Sequence, residues 1–298
     1  MIGPATPAVV KLVLPRAVEA GVPVFTPASV DTELGDSASG FLARMVPSPA
    51  ELGRMLGELL SADGATRVAL AVVEPAAPEL LAGPLSEGLS AHDAALSTTV
   101  TVSDSASVTG AVTAPVEAAP DAVVLSAPDA GILTGTVIEQ LAAAGFGGER
   151  LWLVGEAAGD YSGSLPAGTL AGAGGLRNGV VPDDAFTARV RAEDPGLASV
   201  RFAAEAYDAT VIAALAAELS GDDGGRSLAQ WIAATTRDGI ACTSFGSCLD
   251  VLRIERDIAY VGVAGPVWFD TTGQPGMARS EVLTYSAENA PESTATIG

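Results

Sequence analysis

Residues Ile2–Asp31 read IGPATPAVVKLVLPRAVEAGVPVFTPASVD, and this stretch decides the fold. From Val9 to Ala20 the apolar residues recur at helical spacing, and Val22 to Phe25 is a short apolar run bounded by Gly21 and Thr26, so a helix leads into a strand. Two loops flank this pair, Gly3-Pro4-Ala5-Thr6-Pro7 and Thr26-Pro27-Ala28-Ser29-Val30. Each carries hydroxyls and free amides where a helix begins, the kind of place that holds a small polar ligand.

Working outward, Phe41 to Val46 reads as a strand leaving this unit. Ser48-Pro49-Ala50-Glu51 then forms a capping box with proline at the first helical position, followed by Leu52, Met55, Leu56, Leu59 and Leu60 on one helical face. Strands are expected at Val68–Val73, Thr98–Val102, Ala122–Ser126 and Leu151–Val154, separated by helices that include Pro78–Leu89 and Gly131–Ala144. Continuous apolar strands between amphipathic helices predict an α/β lobe with a parallel sheet covered on both faces.

After a Gly-rich extended stretch, Gly168–Val181, the pattern changes to consecutive helices at Asp183–Ala192, Arg201–Leu219 and Ser227–Arg237. Ser227–Gln230 reads as a second capping box, and Gly221 as the C-cap of the long helix. Consecutive helices do not fit the alternation, so they are expected to cover the first sheet and make that lobe discontinuous. Ile258–Val261, Pro266–Phe269 and Glu281–Tyr285, with a turn at Asp270-Thr271-Thr272-Gly273, read as strands returning to the middle lobe. The predicted division is 1–46 plus 178–255 for lobe 1, 47–177 plus 256–290 for lobe 2, and 291–298 as a flexible tail.

Composition narrows the function. A formal net charge of -21 over 298 residues argues against nucleic acid, whose phosphates need clustered Lys and Arg. Apolar residues make up 48% and charged residues 17%, which describes a folded core and not a disordered chain. No apolar run approaches the roughly 20 residues needed to span a bilayer. Lys11 and Arg16 sit inside an amphipathic pattern with no cleavage site after it, so a signal or anchor is expected to lie outside this chain. Cys242 and Cys248 are the only cysteines, close enough to close a local disulfide, with two free thiols as the alternative. A disulfide would imply an extracytoplasmic home.

Catalytic patterns are weak. His92 is the sole histidine and lies beside Asp93 on a polar stretch, which excludes two-histidine relays and His-rich zinc sites. In Gly159-Asp160-Tyr161-Ser162-Gly163 the serine falls one place late for a nucleophile elbow. Gly172-Ala173-Gly174-Gly175-Leu176-Arg177 misses the last glycine of a dinucleotide fingerprint and reads as a turn. Asp183-Asp184 and Asp222-Asp223 stand at helix ends, where carboxylates serve as caps. No base, nucleophile and orienter come together, so no enzyme, metal or cofactor is expected.

Four stretches together resemble the type I solute-binding proteins of ABC transporters, in particular the branched-chain amino-acid-binding family. They are IGPATPAVVKLVLPRAVEAGVPVFTPASVDTEL from Ile2, FLARMVPSPAELGRMLGELL from Phe41, FAAEAYDATVIAALAAEL from Phe202, and CTSFGSCLDVLRIERDIAYVGVAGPVWFDTTGQPG from Cys242. The resemblance implies a type I periplasmic binding protein fold: two Rossmann-like lobes, three crossings, and a ligand caught in the cleft as the lobes close. Crossings would fall near Met45–Pro47, Ala171–Asn178 and Ile254–Asp257. Family members normally have about two strand-helix units before the Ile-Gly-Pro strand, so lobe 1 would either expose an edge or be completed by another chain, in a homo-oligomer.

Residue by residue, the resemblance implies α-carboxylate contacts from Ala5, Thr6, Ala28, Ser29 and Val30, and an ammonium contact from Glu156. Two aromatic positions of the family match Ala77 and Ala127, and a threonine matches Val30, so the pocket has lost polar and stacking groups. The expected function is an extracytoplasmic receptor that binds an amino acid or related carboxylate and delivers it to an ABC permease. The alternative is a ligand-sensing or protein-interaction domain of the same fold with a degenerate pocket.

Overall fold

The computed structural model describes residues 1–28, 40–76, 78–254, 257–270 and 275–298. The chain begins with helix α1 (Pro7–Ala20) and strands β1 (Val24–Thr26) and β2 (Leu42–Arg44). Alternation follows through α2 (Pro49–Ala62), β3 (Arg67–Val73), α3 (Pro78–Ser90), β4 (Ala95–Val102), α4 (Val108–Ala118), β5 (Ala122–Ser126), α5 (Ile132–Ala143), β6 (Leu151–Val154) and β7 (Gly174–Asn178). Next come α6 (Asp184–Glu193), α7 (Ala203–Ser220), α8 (Gly225–Trp231), β8 (Ile240–Cys242), α9 (Phe245–Leu252) and β9 (Ile258–Gly262). Short strands β10 (Gly265–Pro266), β11 (Trp268–Phe269) and β12 (Pro275–Met277) precede β13 (Ser280–Tyr285) and β14 (Pro291–Ile297).

These elements form two compact units. The first contains Met1–Ser48, Asn178–Ser280 and Gly298, and the second contains Pro49–Arg177 and Glu281–Ile297.

The second unit is built on a seven-stranded sheet in the order β14-β13-β7-β6-β5-β3-β4. From β4 to β7 every neighbouring pair is parallel, with Leu125 opposite Leu153 and Leu153 opposite Gly175. Val68 to Val73 are all buried, as expected of a strand covered on both faces. Val137, Ile138 and Leu141 of α5 pack on this sheet with Leu125, Leu153 and Tyr285. Leu52, Met55, Leu56 and Leu60 form the buried stripe of α2, each such leucine contributing about 1.5–3 kcal/mol by leaving water.

Helices α2 and α3 approach until their backbones touch. A Cβ on Gly53 would lie 2.2 Å from the carbonyl carbon of Pro84, and one on Gly57 would lie 2.2 Å from that of Gly88. Only glycine fits at this crossing.

The first unit has smaller sheets. β1 and β2 are parallel, with Val24 opposite Leu42, and Ile2 bridges Phe25 in parallel. β8 runs parallel to β9, and β9 antiparallel to β10. Phe25, Ala43 and Met45 pack with Ile212 and Leu215 of α7 and with Tyr260 and Phe269. Helix α7 also carries a buried carboxylate, Asp208, that holds three donors: the Tyr260 hydroxyl at 2.8 Å, the Val263 amide at 2.9 Å and the Ala264 amide at 2.8 Å.

Several sequence expectations are corrected. Residues 257–280 group with the first unit instead of the second, because β9 pairs with β8 and Tyr260 is tied to Asp208. The chain therefore passes back to the second unit between Ser280 and Glu281, beyond the expected crossing near 254–257. Residues 291–297 of the expected flexible tail form β14, at the edge of the seven-stranded sheet. Ser227 does not cap a helix; it lies inside α8 and donates to Asp222 at 2.5 Å, while Asp222 also accepts from the Gly224 amide. Between and beyond the cysteines the chain forms a helix not expected from sequence, Phe245–Leu252, with Ser244 and Ser247 as its capping box. Most of the expected turn at 270–273 lies outside the described residues.

Cys242 and Cys248 are joined to each other, with Cα atoms 5.1 Å apart. The bond links the end of β8 to α9, which removes the free-thiol alternative.

Candidate functional site

In the first unit the two candidate loops leave the carboxyl ends of neighbouring parallel chain segments. Phe25 donates its amide to the Met1 carbonyl at 2.9 Å, and Gly3 donates to the Phe25 carbonyl at 2.8 Å, so the chain at Ile2 runs beside β1. The Thr26 hydroxyl then donates to the Pro4 carbonyl at 2.9 Å and ties one loop to the other. Thr26 is fully buried, whereas Ala5 and Thr6 are exposed and Ala28 is half-buried. Thr6 is the N-cap of α1 in extended conformation, and its side chain makes no capping bond. The first-turn amides of α1 are therefore presented outward with the positive end of the helix dipole. Ser29 and Val30 lie outside the described residues.

In the second unit Ala127 follows β5 and Glu156 follows β6. The two strands are parallel neighbours with Ser126 opposite Val154, which brings Ala127 and Glu156 to the same carboxyl edge. Ala127 is buried and Glu156 exposed. Glu156 sits in a single 3-10 turn, Gly155–Ala157. That turn is fastened from beneath by the buried Tyr161, whose hydroxyl donates to the Ala157 carbonyl at 2.9 Å. Tyr285 likewise donates to the Gly159 carbonyl at 2.9 Å. Burial raises the pKa of both phenols, so they remain neutral donors. The loop after β5 is stiffened by Asp129, which accepts from the Gly131 amide at 2.8 Å, and by Thr134, whose hydroxyl donates to the Asp129 carbonyl at 3.0 Å. Ala77 lies outside the described residues.

The structure thus gathers Ala5, Thr6 and Ala28 on one edge of the first unit, and Ala127 and Glu156 on one edge of the second. Both edges are carboxyl ends of parallel strands, where open α/β sheets bind ligands. Two surface hollows lie elsewhere in the first unit. One of about 470 Å³, lined by Phe41, Arg226, Arg237 and Asp257, opens at the amino ends of β2, β8 and β9. Another of about 540 Å³ lies between Leu219, Trp231 and Leu252. Neither is lined by Ala5, Thr6, Ala28, Ala127 or Glu156, so volume does not mark the candidate site.

Sequence reasoning missed the parts that hold these edges in place. Thr26 reads as a strand terminator, and its role as the tie between loops depends on the pairing of Ile2 with Phe25. Arg177 and Glu281 form an ion pair at 2.6 Å, with side chains 20% and 4% exposed, yet stand 104 residues apart in sequence. Glu205 and Asp208 had a visible signal, two acids at i and i+3 in the apolar helix Ala203–Ser220. Both carboxyls are pushed upward, first by burial, and Glu205 reaches about 7.

The chain is thus a largely parallel α/β protein whose candidate loops stand at strand ends. The chain belongs to the family described as the receptor family ligand binding region, which matches residues 1–288, and its fold is that of the type I periplasmic binding proteins. Among solved structures it is similar to a leucine binding protein of Thermotoga maritima, at 17% identity over 100% of this chain and 79% of that one, with a TM-score of 0.72. It is also similar to a branched-chain amino acid transporter substrate binding protein of Streptococcus pneumoniae in complex with isoleucine, at 17% identity, 99% and 77% coverage and a TM-score of 0.68. A third is the solute binding protein of an ABC transporter from R. palustris in complex with benzoate, at 16% identity, 99% and 76% coverage and a TM-score of 0.69. No curated protein matches the chain. No helix of the described residues is long and apolar enough to cross a membrane.

Proposed function

We propose that this chain is an extracytoplasmic solute-binding receptor of an ABC importer, which binds a small organic carboxylate such as an amino acid and presents it to a membrane permease. The observation that carries the reading is the pair of loops at the amino end of α1, tied together by Thr26, with Thr6 left uncommitted as a cap. Leucine, isoleucine and benzoate, the ligands named for three proteins of the same fold, share a carboxylate. Helix-terminal amides offer such an anion directed donors and positive potential. Glu156 supplies the opposite charge for an ammonium group, which amino acids have and benzoate lacks. The two units act as lobes, and ligand stabilises their closed arrangement by differential affinity, with no covalent step. The disulfide Cys242–Cys248 supports an oxidising compartment.

Thermal shift with L-leucine, L-isoleucine and benzoate tests the reading. Stabilisation should grow with the logarithm of ligand excess. Glu156→Ala should abolish the shift with leucine and preserve that with benzoate. Equal loss of both would remove Glu156 from ammonium binding, and no shift with a broad panel of carboxylates would sink the receptor reading. Self-association through the first unit, where Ile2, Val9 and Leu12 stand exposed, belongs to the same proposal. A single monomeric mass by light scattering at high concentration would exclude it.

A further inference from the structure

The chain enters the first unit at Asn178, and the next two residues, Gly179 and Val180, lie directly on Glu205. Gly179 has φ +84, and a Cβ there would come within 2.8 Å of the Phe202 ring and 3.2 Å of Glu205 Oε1. Val180 donates its amide to Glu205 Oε1 at 2.9 Å. The other carboxyl oxygen, Oε2, is buried with no hydrogen-bond partner among the described residues, in a side chain 1% exposed. Ser280 pairs with Gly179 across a parallel bridge, is fully buried, and also has an unpartnered hydroxyl. The bridge places Ser280 beside the segment that Glu205 holds.

Glu205 contrasts with Asp208, one turn further along α7, whose two oxygens hold three donors. An ionised Glu205 would leave charge on a dry oxygen, which costs far more than burying the neutral acid. The charged and titratable groups around it are Arg201 and Asp208 on its own side of the chain, Arg189 of α6 stacked over Phe186 and Tyr207, and Tyr260 beneath Asp208. Arg279 lies against Gly265, and neither Asn178–Val181 nor Gly262–Gly265 contains an ionisable side chain. Burial outweighs Arg201 and the backbone donors, which is why the carboxyl is pushed up to about 7.

We propose that Glu205 is a positioning residue for ligand binding, a buried carboxyl whose proton decides how firmly Asn178–Val180 is held where the chain enters the first unit. When neutral, the acid stays buried and accepts from Val180. When ionised, it favours any opening of this segment that lets water reach Oε2. The sign is fixed: the segment is held in weak acid and loosens as pH rises through about 7. The inference rests on the receptor reading, in which closure turns on the chain passages between units, and it predicts weaker ligand binding in the loosened state.

Hydrogen exchange of the Gly179 and Val180 amides in the ligand-free chain tests the lock, at pH 5.5 and 8.5 after correction for intrinsic rates. Wild-type protection should fall by about tenfold or more, since each pKa unit of displacement is a factor of ten. Glu205→Gln keeps the acceptor for Val180 and should show no such fall; equal pH dependence in both proteins overturns the proposal. Should the variant fail to fold, carbon NMR titration of Glu205 in the wild type decides: a midpoint near 7 supports the lock and one below about 5 overturns it. L-leucine and benzoate then probe binding. Affinity that weakens from pH 5.5 to 8.5 in wild type and stays level in Glu205→Gln supports the positioning role, and parallel profiles overturn it. Failure of every probe to bind overturns the receptor reading and the binding half of the proposal, while the exchange result still decides the lock.

Discussion

The two units are built on different sheets. The second is a continuous seven-stranded sheet whose central strands bury nearly every side chain on both faces. The first has only short sheets and relies on particular polar ties: Asp208 with three donors, Glu205 on Val180, Thr26 on Pro4, and the disulfide. Both units bury apolar cores, and the first divides its strands among several small sheets where the second has one large one. One carboxylate from each unit shows opposite shifts. Asp121 of the second unit accepts from the Thr66 amide at 2.8 Å, the Thr66 hydroxyl at 2.9 Å and the Arg67 amide at 2.9 Å, and these bonds lower its pKa. Glu205 of the first unit is raised by burial.

The contrast can be broken from either side. Asp208→Ala leaves the Tyr260 hydroxyl and two amides without their acceptor and should cost about 3–5 kcal/mol, the range for breaking a buried charged network. A loss under about 1 kcal/mol in urea unfolding would show that the first unit does not depend on this tie. Leu153→Ala, at a fully buried position in the middle of β6, should cost about 3 kcal/mol through lost burial and a cavity. Its effect should appear in amide protection of the second unit, and equal loss of protection in both units would mean that they unfold as one. Reduction of Cys242–Cys248 closes no long loop and should cost about 2 kcal/mol; calorimetry with and without reductant measures it. The smallest expected effect is acid loss through Asp121. Its contribution is present above the unfolded carboxylate pKa and disappears as pH falls through the lowered folded value. Asp121→Asn should flatten the acid limb of the melting profile, and an unchanged limb would assign acid sensitivity elsewhere.

Much of this architecture is legible in sequence because periodicity reports burial. Val68–Val73 and Leu151–Val154 read as buried strands and are, and the apolar stripe of α2 marks its buried face. Asp183 also behaves as its sequence position suggests, accepting from the Phe186 amide at 2.7 Å as the N-cap of α6. Failures cluster where tertiary pairing overrides local pattern. Ile258–Gly262 could serve either sheet, and its partner β8 is too short to be recognised in advance. Pro291–Ile297 is polar and mostly exposed, the pattern of a tail, yet the edge of a sheet accepts it. The candidate site was suggested by resemblance and by loop chemistry, whereas the Thr26 tie and the Tyr161 support require knowing which strands are neighbours.

The crossing of α2 and α3 also limits how this chain can drift across generations. At Gly53, Gly57 and Gly88 the obstacle to any side chain is main-chain carbon and oxygen of the facing helix. No compensating side-chain change removes an atom that every amino acid possesses. Selection for folding from a randomised library should therefore return glycine at these three positions, apolar residues of varied identity along the buried stripe, and free variation at the outward-facing Arg54 and Glu58.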